Sequence, residues 1–480
     1  MVEKKDFKKI KDYLYEIQSS FRADMRVPAR VYTSEKMLDQ IFRDKSLEQL
    51  INLTTLPGIV KYGLAMPDIH EGYASPIGGV VAIRIDDGVI SPGVCGYDIN
   101  CGVKLLRSDY TENEIKPFLE KLATEIQKEV PSGLGKGGKI KLSIGQIDKI
   151  LEGGTKKLVE DGYGEKEDIE NCEAEGRLGW AEAITVSDHA KNRGRDQVGT
   201  LGSGNHFLEI QKVDKIFDEK IANSFGLFKD QIMMMVHSGS RGLGHQVCTD
   251  YLKVMMPAMM KYKIEVPDRE FACVPFKSEE GQRYFKAMAC AANYAWANRQ
   301  MIAFRLRKAW KNILGERSSL TSVYDVAHNI IKKEKYLVDG KEVELIVHRK
   351  GATRAFPPHH QEIPGKYSQT GQPVLIPGSM GTASYVLSGK TEGEESFFSV
   401  CHGSGRTMSR TEATRRISGA AVVKELASKG IIVKCWSSRN IAEEAPLAYK
   451  NVDEVVEVVA GAGLANKVAR LIPLAVIKGE

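Results

Sequence analysis

GGVVAIRIDDGVISPGVCGYDINCGVKLLR, residues 78–107, decides the fold class. Two apolar runs, GGVVAIRI and GVKLLR, are separated by glycine, proline and aspartate. Short runs rich in β-branched residues between such punctuation read as strands joined by tight turns. Outward from this stretch the pattern alternates with helices. Residues 3–20 predict an amphipathic helix with Phe7, Ile10, Tyr13 and Leu14 on one side, and 34–50 predict a second. Residues 1–57 therefore read as an N-terminal helical portion of the same body. Helical spacing recurs over 111–129, 166–192, 246–263 and 280–312. Ile232–Val236 reads as a buried strand running into the loop HSGSRG. Between 320 and 410 short strands return in VELIVHRKG, QPVLIPGSMG, SYVLSG and FFSVCHGSG. Residues 411–428 are helical, and Val452–Arg470 predicts a last helix before a tail, LIPLAVIKGE. No Pro/Ser-rich linker and no internal repeat interrupts the chain. The expectation is α+β: a single large mixed α/β body over 1–480, its β-sheets flanked by helices.

Composition bounds the function. The chain has 480 residues, 42% hydrophobic and 27% charged, as ordinary globular proteins do. A core of this size needs no disulfide or structural metal, so the 8 Cys and 10 His are open to chemistry. The net charge of +6 permits an anionic partner without demanding one. The cysteines, at 95, 101, 172, 248, 273, 290, 401 and 435, form no CxxC pair, which removes zinc-ribbon and thioredoxin signatures. The start, MVEKKDFKKIKDYLYEI, has no apolar signal core, and no run of 18 apolar residues appears. The expectation is a cytoplasmic, reduced protein with no membrane partner.

GLGKGGKI at 133–140 fits GxGxxG, and it fits a P-loop up to Ile140, where a hydroxyl is needed for magnesium. A charged helical pattern and Pro131 precede it instead of a buried strand. It reads as a surface loop.

Four histidines each close a predicted strand or open a small-residue loop: His206 in GTLGSGNHFLEI, His237 in MMMVHSGSRGLGH, His328 in YDVAHN and His402 in FFSVCHGSGR. Glycine and serine beside a histidine let the backbone approach a ligand and aim N–H groups at it. One such histidine is more simply a core residue; four together point to a site. In GVCGYDINCG, Asp98 and Cys101 lie three apart in a turn-rich stretch and can converge on one cation. With three histidines they make a set able to hold two metals, sulfur bridging. Cys101 alone also reads as a buried small residue, and Cys95 and Cys401 read so more readily. MPDIHEGYASPIGG adds Asp68, His70 and Glu71, as substrate contacts or organisers of the metal end. Arg241, Arg406 and Arg410 follow histidine loops, where a guanidinium fork suits phosphate oxygens. PGSMGTASY offers hydroxyls and N–H groups of the same use.

In chain order GYDINCGVKLLRS, GTLGSGNHFLEI, HSGSRGLGHQV, AHN, PGSMGTASY and CHGSGRTMSR resemble the RtcB family of RNA ligases, nearly end to end, down to the tail VIKGE. The resemblance implies an RtcB-like fold and a GTP- and manganese-dependent RNA ligase. Such an enzyme joins 3′-phosphate or 2′,3′-cyclic phosphate ends to 5′-hydroxyl ends, through a guanylylated histidine and an RNA-ppG intermediate, in tRNA splicing and RNA repair. The implied nucleophile is His402. Two Mn2+ ions are implied, one on Asp98, Cys101 and His206, the other on Cys101, His237 and His328. GTP contacts carry over to Asn205, His206, Phe207, Leu208 and Glu209, to His328 and Asn329, to Pro377, Gly378, Ser379 and Met380, to Ser384, to His402, Gly403, Ser404 and Gly405, and to Lys478. Glu209 is the implied guanine reader, since a carboxylate accepts from both N1–H and the 2-amino group. The implied partners are RNA, as tRNA halves or other cleaved RNA, GTP, and the activator archease. By ligand softness alone a Cys/His site favours zinc; manganese comes from the resemblance, with Asp98 and phosphate oxygens as the harder ligands.

Two other readings compete. A dinuclear metal phosphodiesterase or phosphatase acting on RNA ends would use the same ligands to activate water, but needs no guanylylated His402. A non-catalytic RNA-binding protein would favour surface aromatics and basic stripes; aromatics here are 8%.

Overall fold

The computed structural model describes residues 2–133, 137–436 and 441–479. Among these, two large β-sheets are flanked by helices, the α+β class that the alternating texture predicts. One sheet runs, in spatial order, Thr321–Ala327, Gly102–Thr111, Gln231–Ser238, Phe207–Ile216, Ala465–Lys478, Ser384–Gly389 and Pro373–Ile376. Every neighbouring pair on this path is antiparallel. Ile432–Lys434 adds in parallel beside Ala465–Lys478.

The strand Gln231–Ser238 lies at the heart of this sheet and is buried along its whole length. Ile232, Met234 and Val236 pack with Ile302, Leu306 and Trp310 of the helix Glu279–Leu314. Met233 and Met235 face the opposite layer with Phe225, Tyr367 and Val386. Burial on both faces is why this strand reads as an unbroken apolar run instead of an alternating one.

Antiparallel pairing gathers the ends of five strands into one row. Ala327 pairs with Gly102, Gly102 with Ser238, His237 with Phe207, and Phe207 with Lys478. His328, Cys101, His237, His206 and Lys478 thus lie at one edge of one sheet, although they are far apart in sequence.

The second sheet has the order Phe7–Lys11, Leu14–Ile17, Ala29–Tyr32, Gly63–His70, Ile77–Arg84, Lys341–Lys350 and Asn329–Val338. His328 is the single residue between Thr321–Ala327, in the first sheet, and Asn329–Val338, in the second. Asp68 sits near the end of Gly63–His70, so the second sheet supplies the site from the other side.

Several local expectations are corrected. Residues 3–20 form no α-helix: a 3-10 turn leads into the antiparallel strands Phe7–Lys11 and Leu14–Ile17, and Tyr13 takes a positive φ at the reversal. Pairing of Leu14–Ile17 with Ala29–Tyr32 overrides the helical spacing. The N-terminal segment is therefore strand-first, and 34–50 becomes two helices, Glu35–Ile41 and Ser46–Leu53. The 166–192 helix is broken into Lys166–Glu170 and Asp188–Gly194 with 3-10 turns between, because Asn171 donates to Ser322 O and buried Glu173 accepts from Ala327 N. Ile144–Glu160 is a helix missing from the predicted elements, although Ile147, Ile150, Leu151 and Leu158 are buried at helical spacing. The last helix stops at Gly461; Gly463 takes φ +76°, and Ala465–Lys478 is a 14-residue strand inside the larger sheet. Residues 410–428 form two helices, Arg410–Arg416 and Gly419–Ser428. Of the glycine-rich stretch 133–140, residues 134–136 lie outside the described residues. Among the described residues no helix is long and apolar enough to cross a membrane.

Candidate active site

The row of strand ends brings a thiol, a carboxylate and three imidazoles together. Asp98, Cys101 and His206 each present a ligand atom, all within 4.8 Å of one another. His206 Nε2 is 2.9 Å from Asp98 Oδ2 and 3.5 Å from Cys101 Sγ. His237 Nε2 is 3.2 Å from the same sulfur. His328 is reached ring to ring, its centroid 5.6 Å from that of His237 and 5.4 Å from that of His402.

The backbone is cut to fit this cluster. A Cβ at Gly239 would lie 2.3 Å from both carboxylate oxygens of Asp98, so only glycine leaves the carboxylate its place. Ser240 N donates to Asp98 Oδ1 at 3.0 Å. Asn329 fixes the approach from the second sheet: its Nδ2 donates to Asp98 O and its Oδ1 accepts from Gly351 N.

Burial sets the electrostatics. It pushes the Cys101 thiol well up, and the adjacent Asp98 charge pushes it further. Burial would raise Asp98 too, but the His206 hydrogen bond holds its carboxyl below the usual range. Burial holds His237 and His328 well down, with neighbouring histidines adding to it. Both stay neutral there, as metal ligands must be. His237 Nδ1, His206 Nδ1 and both ring nitrogens of His328 are buried without a hydrogen-bond partner. Orphaned buried nitrogens of this number ask for a missing partner. The unpartnered His328, with the Nε2 atoms of His206 and His237 that face Cys101 Sγ, and the buried thiol and carboxylate fit divalent cations.

Two adjoining cavities open here, of about 210 Å3 and about 1020 Å3, and His402 lines both. The smaller collects most of the expected nucleotide contacts. Asn205, Phe207 and Lys478 come from the row of strand ends, Pro377 to Met380 from one loop, and His402 to Gly405 from another. The larger is lined by Asp98, Cys101, His206, His328, Asn329 and Arg241. Three expected contacts line neither. Leu208 points into the opposite apolar layer. Glu209 and Ser384 lie behind the small cavity, joined through Gln211, whose Nε2 donates to Glu209 Oε2 at 2.6 Å and to Ser384 Oγ at 3.0 Å. Ser384 Oγ in turn accepts from Gly378 N. Burial pushes Glu209 up to about 8, with Gln211 and Lys478 acting the other way. Lys478 Nζ donates to Gly204 O and His206 O, tying the last strand to the GTLGSGNH loop.

His402 follows the short strand Ser399–Cys401 and is gripped by Asp68. Asp68 Oδ2 accepts from His402 Nδ1 at 2.5 Å, from His402 N at 3.0 Å and from Gly403 N at 3.3 Å. Asp68 is fully buried. This carboxylate fixes the ring and its tautomer and leaves Nε2 as the lone-pair nitrogen. Gly405, at φ +71°, passes so close that a Cβ would lie 2.2 Å from Asp68 O. The sequence places Asp68 near the site without assigning it this role. It does not point to Glu444 or Tyr449, which line the small cavity. Their segment carries none of the Gly/His texture that marks the other loops.

The three arginines line the cavities, Arg406 and Arg410 the smaller and Arg241 and Arg410 the larger, and each also has protein partners. Arg406 NH1 is 3.2 Å from Glu444 Oε1, its NH2 donates to Glu443 O, and Arg410 Nε reaches Glu444 at 3.3 Å. Arg241 is buried with Nε on Thr200 Oγ1.

A model of the family described as tRNA-splicing ligase RtcB matches residues 49–479. The tRNA-splicing ligase RtcB of Thermococcus kodakarensis is 52% identical over the full length of both chains. That of Archaeoglobus fulgidus is 52% identical over 98% of each. The RNA-splicing ligase RtcB of Mycobacterium tuberculosis is 49% identical, covering 90% of this chain and all of its own. With the motif loops gathered at one sheet edge and this similarity over the whole length, the chain belongs to the RtcB family.

Proposed function

We propose that this chain is a GTP- and manganese-dependent RNA ligase, a single catalytic body that joins RNA 3′-phosphate or 2′,3′-cyclic phosphate ends to 5′-hydroxyl ends. The observation that carries the reading is His402, oriented by a buried carboxylate and shared by two cavities. A dinuclear metal hydrolase that activates water needs no such residue; transfer of GMP through a covalent histidine does. His402 Nε2 attacks the α-phosphorus of GTP, the bond to the β-phosphate breaks, and pyrophosphate leaves. The RNA 3′-phosphate then takes GMP from the imidazole. The 5′-hydroxyl attacks the activated end, and GMP leaves. A cyclic end is first opened by water.

The chain's own groups divide this work. Asp68 holds Nδ1–H of His402 and stabilises positive charge on the ring as Nε2 forms its bond. The glycine loop His402–Gly405 lets phosphate approach the backbone. Glu209, as carboxylate, accepts from N1–H and the 2-amino group of guanine. Two divalent ions, held by Asp98, Cys101 and His206 and by Cys101, His237 and His328, would supply the charge that neutralises the transferring phosphoryl group. We assign them as manganese and place the enzyme in the reducing cytoplasm, where Cys101 stays reduced and able to ligate as thiolate, and where RNA is the partner. We propose tRNA halves as substrate and archease as activator, a reading that the likeness to tRNA-splicing ligases supports for the RNA.

The test is joining. A 2′,3′-cyclic-phosphate RNA and a 5′-hydroxyl RNA should give one longer product with GTP and Mn2+, and none with ATP. Conversion of ends without GTP and without joining would favour the hydrolase reading instead.

A further inference from the structure

The helix Glu279–Leu314 carries two consecutive side chains, Asn298 and Arg299, that are fully buried and line neither cavity. Arg299 uses all three guanidinium nitrogens on three different segments. Its NH1 donates to Asn100 O and to Ser238 O, each at 2.8 Å. Its NH2 donates to Asn100 Oδ1 at 3.0 Å, and its Nε to Asp325 Oδ1 at 2.8 Å. Asn100 lies between Asp98 and Cys101, Ser238 follows His237, and Asp325 stands three residues before His328. Asn298 completes the set. Its Oδ1 accepts from Gly199 N at 2.8 Å and Thr200 N at 3.1 Å, the start of the loop that ends in His206. Its Nδ2 donates to Thr200 O, Ser238 Oγ and Gly239 O.

The close approach is built into the neighbouring backbone. A Cβ at Gly102 would lie 3.0 Å from Arg299 Cζ and 2.1 Å from Val326 O. Asn100 itself holds a positive φ of 52°, and its Nδ2 returns to Ala292 O on the same helix.

We propose that Asn298 and Arg299 are the positioning residues of the metal centre: one helix step that holds all four ligand-bearing segments in mutual register. The inference rests on the reading of Asp98, Cys101 and the three histidines as a metal centre. A planar fork can bridge three segments at fixed angles; an ammonium is a point donor and cannot. Outer-shell partners that orient ligands change metal affinity by about 10- to 100-fold when removed. The two residues divide the work. Asn298 alone reaches the segment with His206 and also touches the one with His237, so it bears on both ions and most on the ion of Asp98, Cys101 and His206. Arg299 alone reaches the Asp98–Cys101 segment and, through Asp325, the approach to His328, so it too bears on both ions and most on the ion of Cys101, His237 and His328.

The test is calorimetric Mn2+ titration of the metal-free full-length chain, with Co2+ absorption as a second readout for cysteine thiolate ligation. Wild type should bind two ions. Asn298→Ala should weaken the ion on Asp98, Cys101 and His206 about 10- to 100-fold and the other ion less. Arg299→Lys should weaken both ions, most the one on Cys101, His237 and His328, and alter the Co2+–thiolate band. Asp325→Asn, which leaves Arg299 its bonds to Asn100 and Ser238, should reproduce the Arg299→Lys pattern in a milder form and serves if the lysine variant does not fold. Variants that lose thermal stability yet bind both ions within about twofold of wild type, with an unchanged Co2+ spectrum, would overturn the proposal. Absence of divalent binding by wild type would overturn the metal centre itself and the inference with it.

Discussion

Asp68 and His402 are 334 residues apart, yet Asp68 Oδ2 accepts from His402 Nδ1 at 2.5 Å and from two backbone N–H groups of the same loop. The carboxylate ends a strand of one sheet; the imidazole follows a short strand beside it. This pair fixes the ring of a glycine-rich loop histidine, the nucleophile of the proposed reaction.

Replacing Asp68 by Asn keeps the size and removes the charge. The amide can turn its NH2 toward Nδ1 and favour the wrong tautomer. Transfer of GMP from GTP to the protein should slow by about 10³- to 10⁴-fold, as loss of an orienting carboxylate does elsewhere, with little change in the thermal midpoint. Single-turnover labelling measures it. A slowing under about threefold would deny Asp68 this role.

Gly405→Ala tests the same contact sterically. The new Cβ would stand 2.2 Å from Asp68 O, and the residue would be held at positive φ. A cost of about 1–3 kcal/mol is expected from such strain, read as a lower thermal midpoint and slower GMP transfer together. An unaffected midpoint would show that the loop shifts freely.

Guanine recognition should depend on pH. Glu209 is raised to about 8 by burial, so it is neutral at pH 7 in the free protein. Only the carboxylate can accept both guanine donors. Guanosine binding in the absence of metal should therefore tighten as pH rises toward 8, by up to about tenfold per unit, and level off above. Glu209→Gln should flatten the profile and weaken binding. A profile that is already flat in wild type would count against the assignment.

Lys478→Ala should weaken GTP use by removing both the cation near Glu209 and the anchors on Gly204 O and His206 O. The point substitution is the clean experiment. Removing residues 476–480 would also delete Val476 and Ile477, which are fully buried in the central strand.

Much of this site is legible in the sequence because its residues sit at strand ends, where the apolar run stops and small residues begin. Cys101 before VKLLR, His237 after MMMV and His206 before FLEI each carry that signature. Asp68 carries it weakly, and its partner is set by sheet packing, which no local pattern encodes. Arg406 and Arg410 read as phosphate ligands from their loop, but Glu443 and Glu444 reach them from a distant segment of the chain. The last strand reads as helix because a valine-rich run, VDEVVEVV, leads into it. Only pairing with Phe207–Ile216 and Ser384–Gly389 decides its state. Asn298 and Arg299 carry no signal, since polar residues inside a long helical pattern read as a solvated face.

The most direct measurement of the central claim is incubation with Mn2+ and GTP labelled in the α-phosphate, followed by peptide mapping of the adduct. The expected result is one acid-labile GMP on His402, absent from His402→Ala and slow to form in Asp68→Asn. No covalent label with any divalent metal, or a label on another residue that survives His402→Ala, would contradict it.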